Sequence, residues 1–217
     1  MKFNKGKNQD DHEYCDKYES DTNSSIPISV DEIIEEFLVR TRRLSIVGEI
    51  NEITSTHICN YLQLFSLLKE PIYIYIHSPG GCMASGYAII DQMLACSCPI
   101  YTIVRGQAHS MAAMIAAFGT KGCRYATTNS SMMLHSVIIQ NQTESIERHS
   151  KMTGHVEEDY SRKVASLARR TELTVKQLTK LMNETEWMSP RQAIKIGLID
   201  GIWTPRMEQN INKRFKI

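Results

Sequence analysis

Two hydrophobic periods alternate along this chain. Behind Asp31, which opens an acidic first turn, Ile33, Ile34, Phe37 and Leu38 fall at helical spacing. Leu44 to Gly48 reads as a short strand. Thr54 to Leu68 reads as an amphipathic helix, with Ile58, Tyr61, Leu62, Phe65 and Leu68 on one side. From Pro71 to His77 isoleucine and tyrosine alternate, the period of a strand. A helix over Ala84 to Ala95 and a strand over Pro99 to Val104 follow. Met111 to Phe118 is apolar throughout and rich in alanine, which predicts a buried helix ended by Gly119. Cys123 to Ala126 and Ser131 to His135 read as two more short strands.

The second half is more polar. A long helix is expected from about Glu144 to Leu167, with Ile146, Thr153, Val156, Tyr160, Val164 and Leu167 as its apolar stripe. An apolar stripe on so polar a helix predicts burial against a partner. Thr174 caps a helix that runs to Met182. Ser189 and Pro190 start a short one that stops at Gly197, and Leu198 to Trp203 is read as the final strand. Helices and strands in alternation give an α/β class with a largely parallel sheet. Residues 1–26 carry no apolar period and read as a disordered N-terminal extension or a propeptide; residues 27–217 read as one domain.

Composition narrows the function classes. Hydrophobic residues make up 42% and charged residues 23%, as in an ordinary globular protein. The formal net charge of +1 gives no electrostatic footprint for nucleic acid or a membrane surface. No apolar run is long enough to span a membrane, and the N-terminus runs into charge rather than the apolar core of a secretory signal. The six cysteines, Cys15, Cys59, Cys82, Cys96, Cys98 and Cys123, form no pair at zinc-ligand spacing. They are read as reduced, small core residues of a cytoplasmic protein.

Three segments carry the chemistry. Ser78 to Gly81 is a glycine loop after a strand, Ser110 opens a helix just after another strand, and His135 ends a third. A serine at such a turn is exposed beside helix N-terminal amides, among them that of Met111. An attacked carbonyl develops negative charge on oxygen, and a held backbone donor there is worth roughly 3 kcal/mol. Gly80 and Gly81 can bring a second donor close, because glycine has no Cβ to clash. His135 is the candidate general base, since neutral imidazole accepts a hydroxyl proton near pH 7. His109 adjoins Ser110 but points elsewhere from a helix start, and His77 reads as structural. No residue set calls for a metal or an organic cofactor.

The segments Tyr75 to Gly81, Gly106 to Ala113, Leu134 to Ser136 and Trp187 to Asp200 resemble the proteolytic subunit of the ATP-dependent Clp protease. The resemblance covers about residues 31–204. It implies the ClpP/crotonase fold of stacked ββα units, with the long helix as the family's handle. It also implies a serine endopeptidase with Ser110 as nucleophile, His135 as base, and Gly81 and Met111 as oxyanion donors. The family cuts unfolded chains inside a chamber of two stacked heptameric rings, fed by an AAA+ unfoldase. Tyr73 and Tyr75 match strand tyrosines that line the family's unfoldase-docking pocket.

Two positions depart from that pattern. The family's histidine-orienting aspartate falls at Thr185 here, flanked by Glu184 and Glu186. A threonine hydroxyl can accept from the imidazole but offers no charge to the imidazolium. Thr185, a flanking glutamate or a water are the candidates for that role. The family's axial-pore segment is not recognisable in residues 1–30. A ring subunit of weak or lost activity that modulates an active paralogue is the competing reading.

Overall fold

The computed structural model describes residues 29–136 and 146–216, so the expected extension over residues 1–26 lies outside the described residues. The chain divides after Glu36 into two compact units. Of the first, the described part is the opening of helix α1 (Val30–Thr41). There Ser29 Oγ accepts from the Glu32 amide at 3.1 Å, and the Glu32 carboxylate accepts from the Ser29 amide at 2.7 Å, a reciprocal cap that satisfies two orphan donors.

The second unit runs β1 (Arg43–Ile50), α2 (Glu52–Ser66), β2 (Ile72–Gly81), α3 (Met83–Ala95), β3 (Ile100–His109), α4 (Met111–Ala117), β4 (Arg124–Ala126) and β5 (Ser131–Leu134). It continues with α5 (Ile146–Ala168), α6 (Val175–Asn183), β6 (Glu186–Met188), α7 (Pro190–Lys195), β7 (Gly201–Ile202) and α8 (Pro205–Arg214). Strands β1-β2-β3-β4-β7 form a parallel path. The edge of β3 is shared: Thr102–Val104 pair with β4, and Gln107–His109 pair with β5. β6 then adds antiparallel to β5. This is the mixed α/β fold expected of the resemblance.

The Ile–Tyr alternation of β2 assigns its faces. Ile72, Ile74 and Ile76 are fully buried in the main core, beneath α2, α3 and α4. Tyr73 and Tyr75 point to the opposite face, into a second cluster with Ile103, Trp203 and Ile211. That cluster is covered by α8, a helix absent from the sequence-based expectation. Tyr73 and Tyr75 are therefore only 4% and 8% exposed. Glu208 on α8 accepts hydrogen bonds from Tyr75 Oη (3.0 Å), Trp203 Nε1 (2.9 Å) and Arg105 (2.8 Å).

Other expectations are corrected in detail. The last strand shrinks to Gly201–Ile202, with the Asp200 and Trp203 amides bonding the Arg124 and Ala126 carbonyls of β4 at either end. The stripe of α5 is not free for a partner at its C-terminal end: Val164 and Leu167 are buried in the chain's own core. The cysteines divide as well. Cys98 is buried, whereas Cys82 is exposed where the chain turns from β2 into α3.

A buried ion pair anchors the far end of α4. Arg124, 2% exposed, donates through Nε (2.9 Å) and Nη2 (2.5 Å) to Asp200, and through Nη1 to the Arg170 carbonyl (2.7 Å). Arg170 in turn donates to the Ala117 and Gly119 carbonyls at the end of α4. Asp200→Asn leaves Arg124 buried without its counter-charge, and is expected to cost about 3 kcal/mol of stability, read from denaturant midpoints. Burial alone would raise the Asp200 carboxyl, but the hydrogen bonds and charge of Arg124 outweigh it and hold the group below its ordinary value. A carboxylate so depressed adds stability above the unfolded pKa of about 4, and that share is lost as pH falls through the lower folded value. The difference between the two proteins should therefore shrink on acidification.

No helix among the described residues is long and apolar enough to cross a membrane.

Candidate active site

The fork in the sheet brings the three segments together. Because His109 is the last residue of β3 and pairs with Met133 of β5, the chain ends of both strands lie side by side. The Ser110 amide donates to the Met133 carbonyl at 2.8 Å. Two residues beyond Met133, His135 Nε2 meets Ser110 Oγ at 2.8 Å.

Ser110 occupies the junction between β3 and α4 with φ 54° and ψ −124°. A non-glycine residue in the left-handed half of backbone space costs on the order of 1–3 kcal/mol, and such strain is held only where packing over-determines it. The packing is visible. Every residue of α4 is buried, and its alanines let the helix lie close on β2 and β3. Glycine loop and junction are in direct contact: a Cβ on Gly80 would fall 2.7 Å from Ser110 Cβ and 2.7 Å from the His109 carbonyl oxygen. Gly80 has φ 99° and Gly81 φ 145°, and Gly81 continues β2, paired with Ile50. Met111 is the first residue of α4, where an amide has no carbonyl four residues back to bond.

The tautomer of His135 follows from its second contact. Nδ1 lies 2.5 Å from the Ser136 carbonyl oxygen, which only accepts, so Nδ1 carries the proton. Nε2 is then the unprotonated nitrogen, and Ser110 Oγ donates to it. This pair can pass the serine proton to the imidazole. The Ser136 carbonyl itself is positioned through its own amide, which bonds the Met182 carbonyl at 2.9 Å.

Thr185, Glu184 and Glu186 stand near but do not hold the imidazole. The β5–β6 register pairs Leu134 with Glu186, and one further step sets Thr185 opposite His135. Among the described residues no hydrogen bond joins any of these three side chains to His135. Thr185 is exposed at φ 52°, and Glu184 lies 3.9 Å from Lys180 Nζ. The contact that sequence reading missed is the Ser136 carbonyl. A backbone group leaves no mark in the residue type, so no signal could have named it.

His109 and His77, the histidines beside the other two segments, are engaged elsewhere. His109 is buried, with Nε2 2.9 Å from Ser131 Oγ and its ring edge-on to Trp187. Burial pushes its imidazole pKa down, toward the neutral form. His77 donates from Nδ1 to the Arg105 carbonyl at 3.0 Å and packs on Gly106 at the sheet fork.

Ser110 and His135 open into a cleft of about 420 Å³. Gly81 and Pro79 form one rim. Met83, Met111, Met114, Met133 and Met182 line its walls, a flexible apolar surface that adapts to different side chains.

Comparison with known proteins gives the family of the chain. A family model described as Clp protease matches residues 29–206. The ATP-dependent Clp protease proteolytic subunit of Ligilactobacillus salivarius is 34% identical over 176 residues, covering 76% of this chain and 84% of that protein. The matched span contains the forked sheet, the glycine loop, Ser110 and His135, and with them in place the chain belongs to the Clp protease family of peptidases.

Proposed function

We propose that this protein is a serine endopeptidase that cuts unfolded polypeptides. The observation that carries the reading is the 2.8 Å contact between Ser110 Oγ and His135 Nε2 at a strained strand-to-helix junction. Ser110 Oγ attacks a peptide carbonyl carbon while His135 Nε2 takes its proton. The amides of Gly81 and Met111 stabilise the oxyanion. His135 then gives the proton to the leaving amine as the C–N bond breaks, and water, deprotonated by His135, releases the acyl group from Ser110.

The chain carries no Gly-x-x-x-x-Gly-Lys phosphate loop, so ATP would be hydrolysed by a partner, an AAA+ unfoldase that delivers the substrate. Assembly as heptameric rings of this chain, or of this chain with a paralogue, stacked into a tetradecamer, would enclose the site in a chamber. Docking of an unfoldase on Tyr73 and Tyr75 would require α8 to move aside, since it covers both. In the test, the assembled protein is given short fluorogenic peptides and denatured casein. The wild type should cleave them and Ser110→Ala should not.

A second reading is a weakly active or inactive ring subunit that modulates an active paralogue. It is favoured by one observation: the partner of His135 Nδ1 is a neutral carbonyl, not a carboxylate. The imidazolium that forms during attack then gains less stabilisation than beside a carboxylate. Thr185→Asp tests this. Aspartate tolerates the φ of 52° better than a β-branched residue and sets a carboxylate opposite His135. It is expected to raise kcat on the order of tenfold. An unchanged or lower kcat would show that the carbonyl suffices.

A further inference from the structure

The cleft extends from Ser110 to a polar end formed by helices α3 and α5. Tyr87 of α3 lines it there, together with Lys163 of α5. Tyr87 Oη is buried and, among the described residues, meets no hydrogen-bond partner. A buried hydroxyl left unbonded is costly, so such a group in a substrate cleft favours a ligand that completes it. The ring is held in place: Lys163 Nζ sits 4.4 Å from its centroid and is itself pinned by Asp159 at 2.5 Å. Burial also pushes the Tyr87 phenol pKa well up, so the group stays neutral and keeps a proton to donate.

The surroundings select the chemistry of the ligand. The carboxylate of Asp159, shared between Lys163 and Arg162, and that of Asp91 both act on the Tyr87 hydroxyl, which disfavours a carboxylate acceptor there, and an ammonium group has no lone pair to accept its proton. The approach is lined by methionines, which suit a long unbranched side chain. The open valence calls for a neutral acceptor at the tip of such a chain. Glutamine has that shape; methionine has the same length without the acceptor.

We propose that Tyr87 Oη is a specificity-determining group that donates a hydrogen bond to the side-chain amide oxygen of a glutamine on the residue whose carbonyl Ser110 attacks. The inference rests on the endopeptidase reading. A hydrogen bond of this kind, lost without a change in shape, alters selectivity by about tenfold.

The test uses the full-length assembled protein, wild type and Tyr87→Phe, and two peptides that differ only by glutamine or methionine at that residue. The readout is the ratio of kcat/KM for glutamine over methionine. A general effect on folding or assembly moves both substrates together and leaves the ratio alone. The wild type should prefer glutamine, and Tyr87→Phe should lower the ratio about tenfold. Cleavage of both peptides with the same ratio in the two proteins would overturn the assignment to Tyr87 and leave the peptidase reading standing. Should the wild type cut neither peptide, the peptidase reading fails instead. The same pair is then compared by fluorescence polarisation on the intact protein, where equal glutamine-to-methionine affinity ratios in the two proteins would overturn the Tyr87 assignment as well.

Discussion

His135→Ala is expected to lower kcat/KM for peptide cleavage by about 10,000-fold or more, with little change in stability. The imidazole is the partner that Ser110 Oγ meets at 2.8 Å, and without it the hydroxyl proton has no acceptor in reach among the described residues. His109 cannot substitute, because its Nε2 is engaged with Ser131 Oγ. His135 is only half-buried and belongs to neither core cluster, so its removal opens no large cavity. The double variant with Ser110→Ala should be no worse than either single change, since nucleophile and base act as one unit. Steady-state cleavage of a fluorogenic peptide by the three variants checks both statements. Additive losses would mean that the two side chains act separately.

Gly80→Ala is expected to reduce cleavage by 100-fold or more while the protein still folds. The added methyl would sit 2.7 Å from Ser110 Cβ and from the His109 carbonyl oxygen, and 3.1 Å from the Met111 amide nitrogen. Two of these three atoms are backbone, so the junction carrying Ser110 must shift. A displacement on the order of 1 Å at a reacting group costs roughly 100-fold. Alanine at φ 99° is strained in addition. Gly48→Ala separates the two effects. Gly48 also has a left-handed φ, 77°, but a Cβ there meets nothing within 4 Å. That variant should lose stability, seen in Tm, and keep its activity. Equal losses of activity in both would assign the effect to backbone strain alone.

The site was legible in the sequence because its parts are residue types with few other uses in that order. A paired glycine after an apolar strand, a serine opening an alanine-rich helix and a histidine ending a strand each leave a mark. Their convergence rests on the fork of β3, which the sequence hides. Gly106 and Gln107 look like a loop, yet they continue the strand and carry its pairing over to β5. β6 was missed for a similar reason, since three residues are too few to show a period. Helix α8 had a signal that went unread. Thr204 caps it, Pro205 stands at its first position, and Met207, Ile211 and Phe215 recur every fourth residue on an otherwise polar segment. So sparse a stripe stabilises a helix only through the aromatic face it covers, and that face is assembled from β2, β3 and Trp203, distant in sequence.

The third partner of the pair was the least legible part. The resemblance pointed to position 185, and the register does bring Thr185 opposite His135. The hydrogen bond nevertheless goes to the neighbouring carbonyl of Ser136, a group that every residue possesses.

The most direct test of the account is to treat the assembled protein with a fluorophosphonate and locate the adduct by peptide mass spectrometry. The account predicts one phosphonyl group, on Ser110, and none on the His135→Ala protein. An adduct on another residue, or an intact assembled protein that takes none, would contradict the claim that Ser110 is an activated nucleophile.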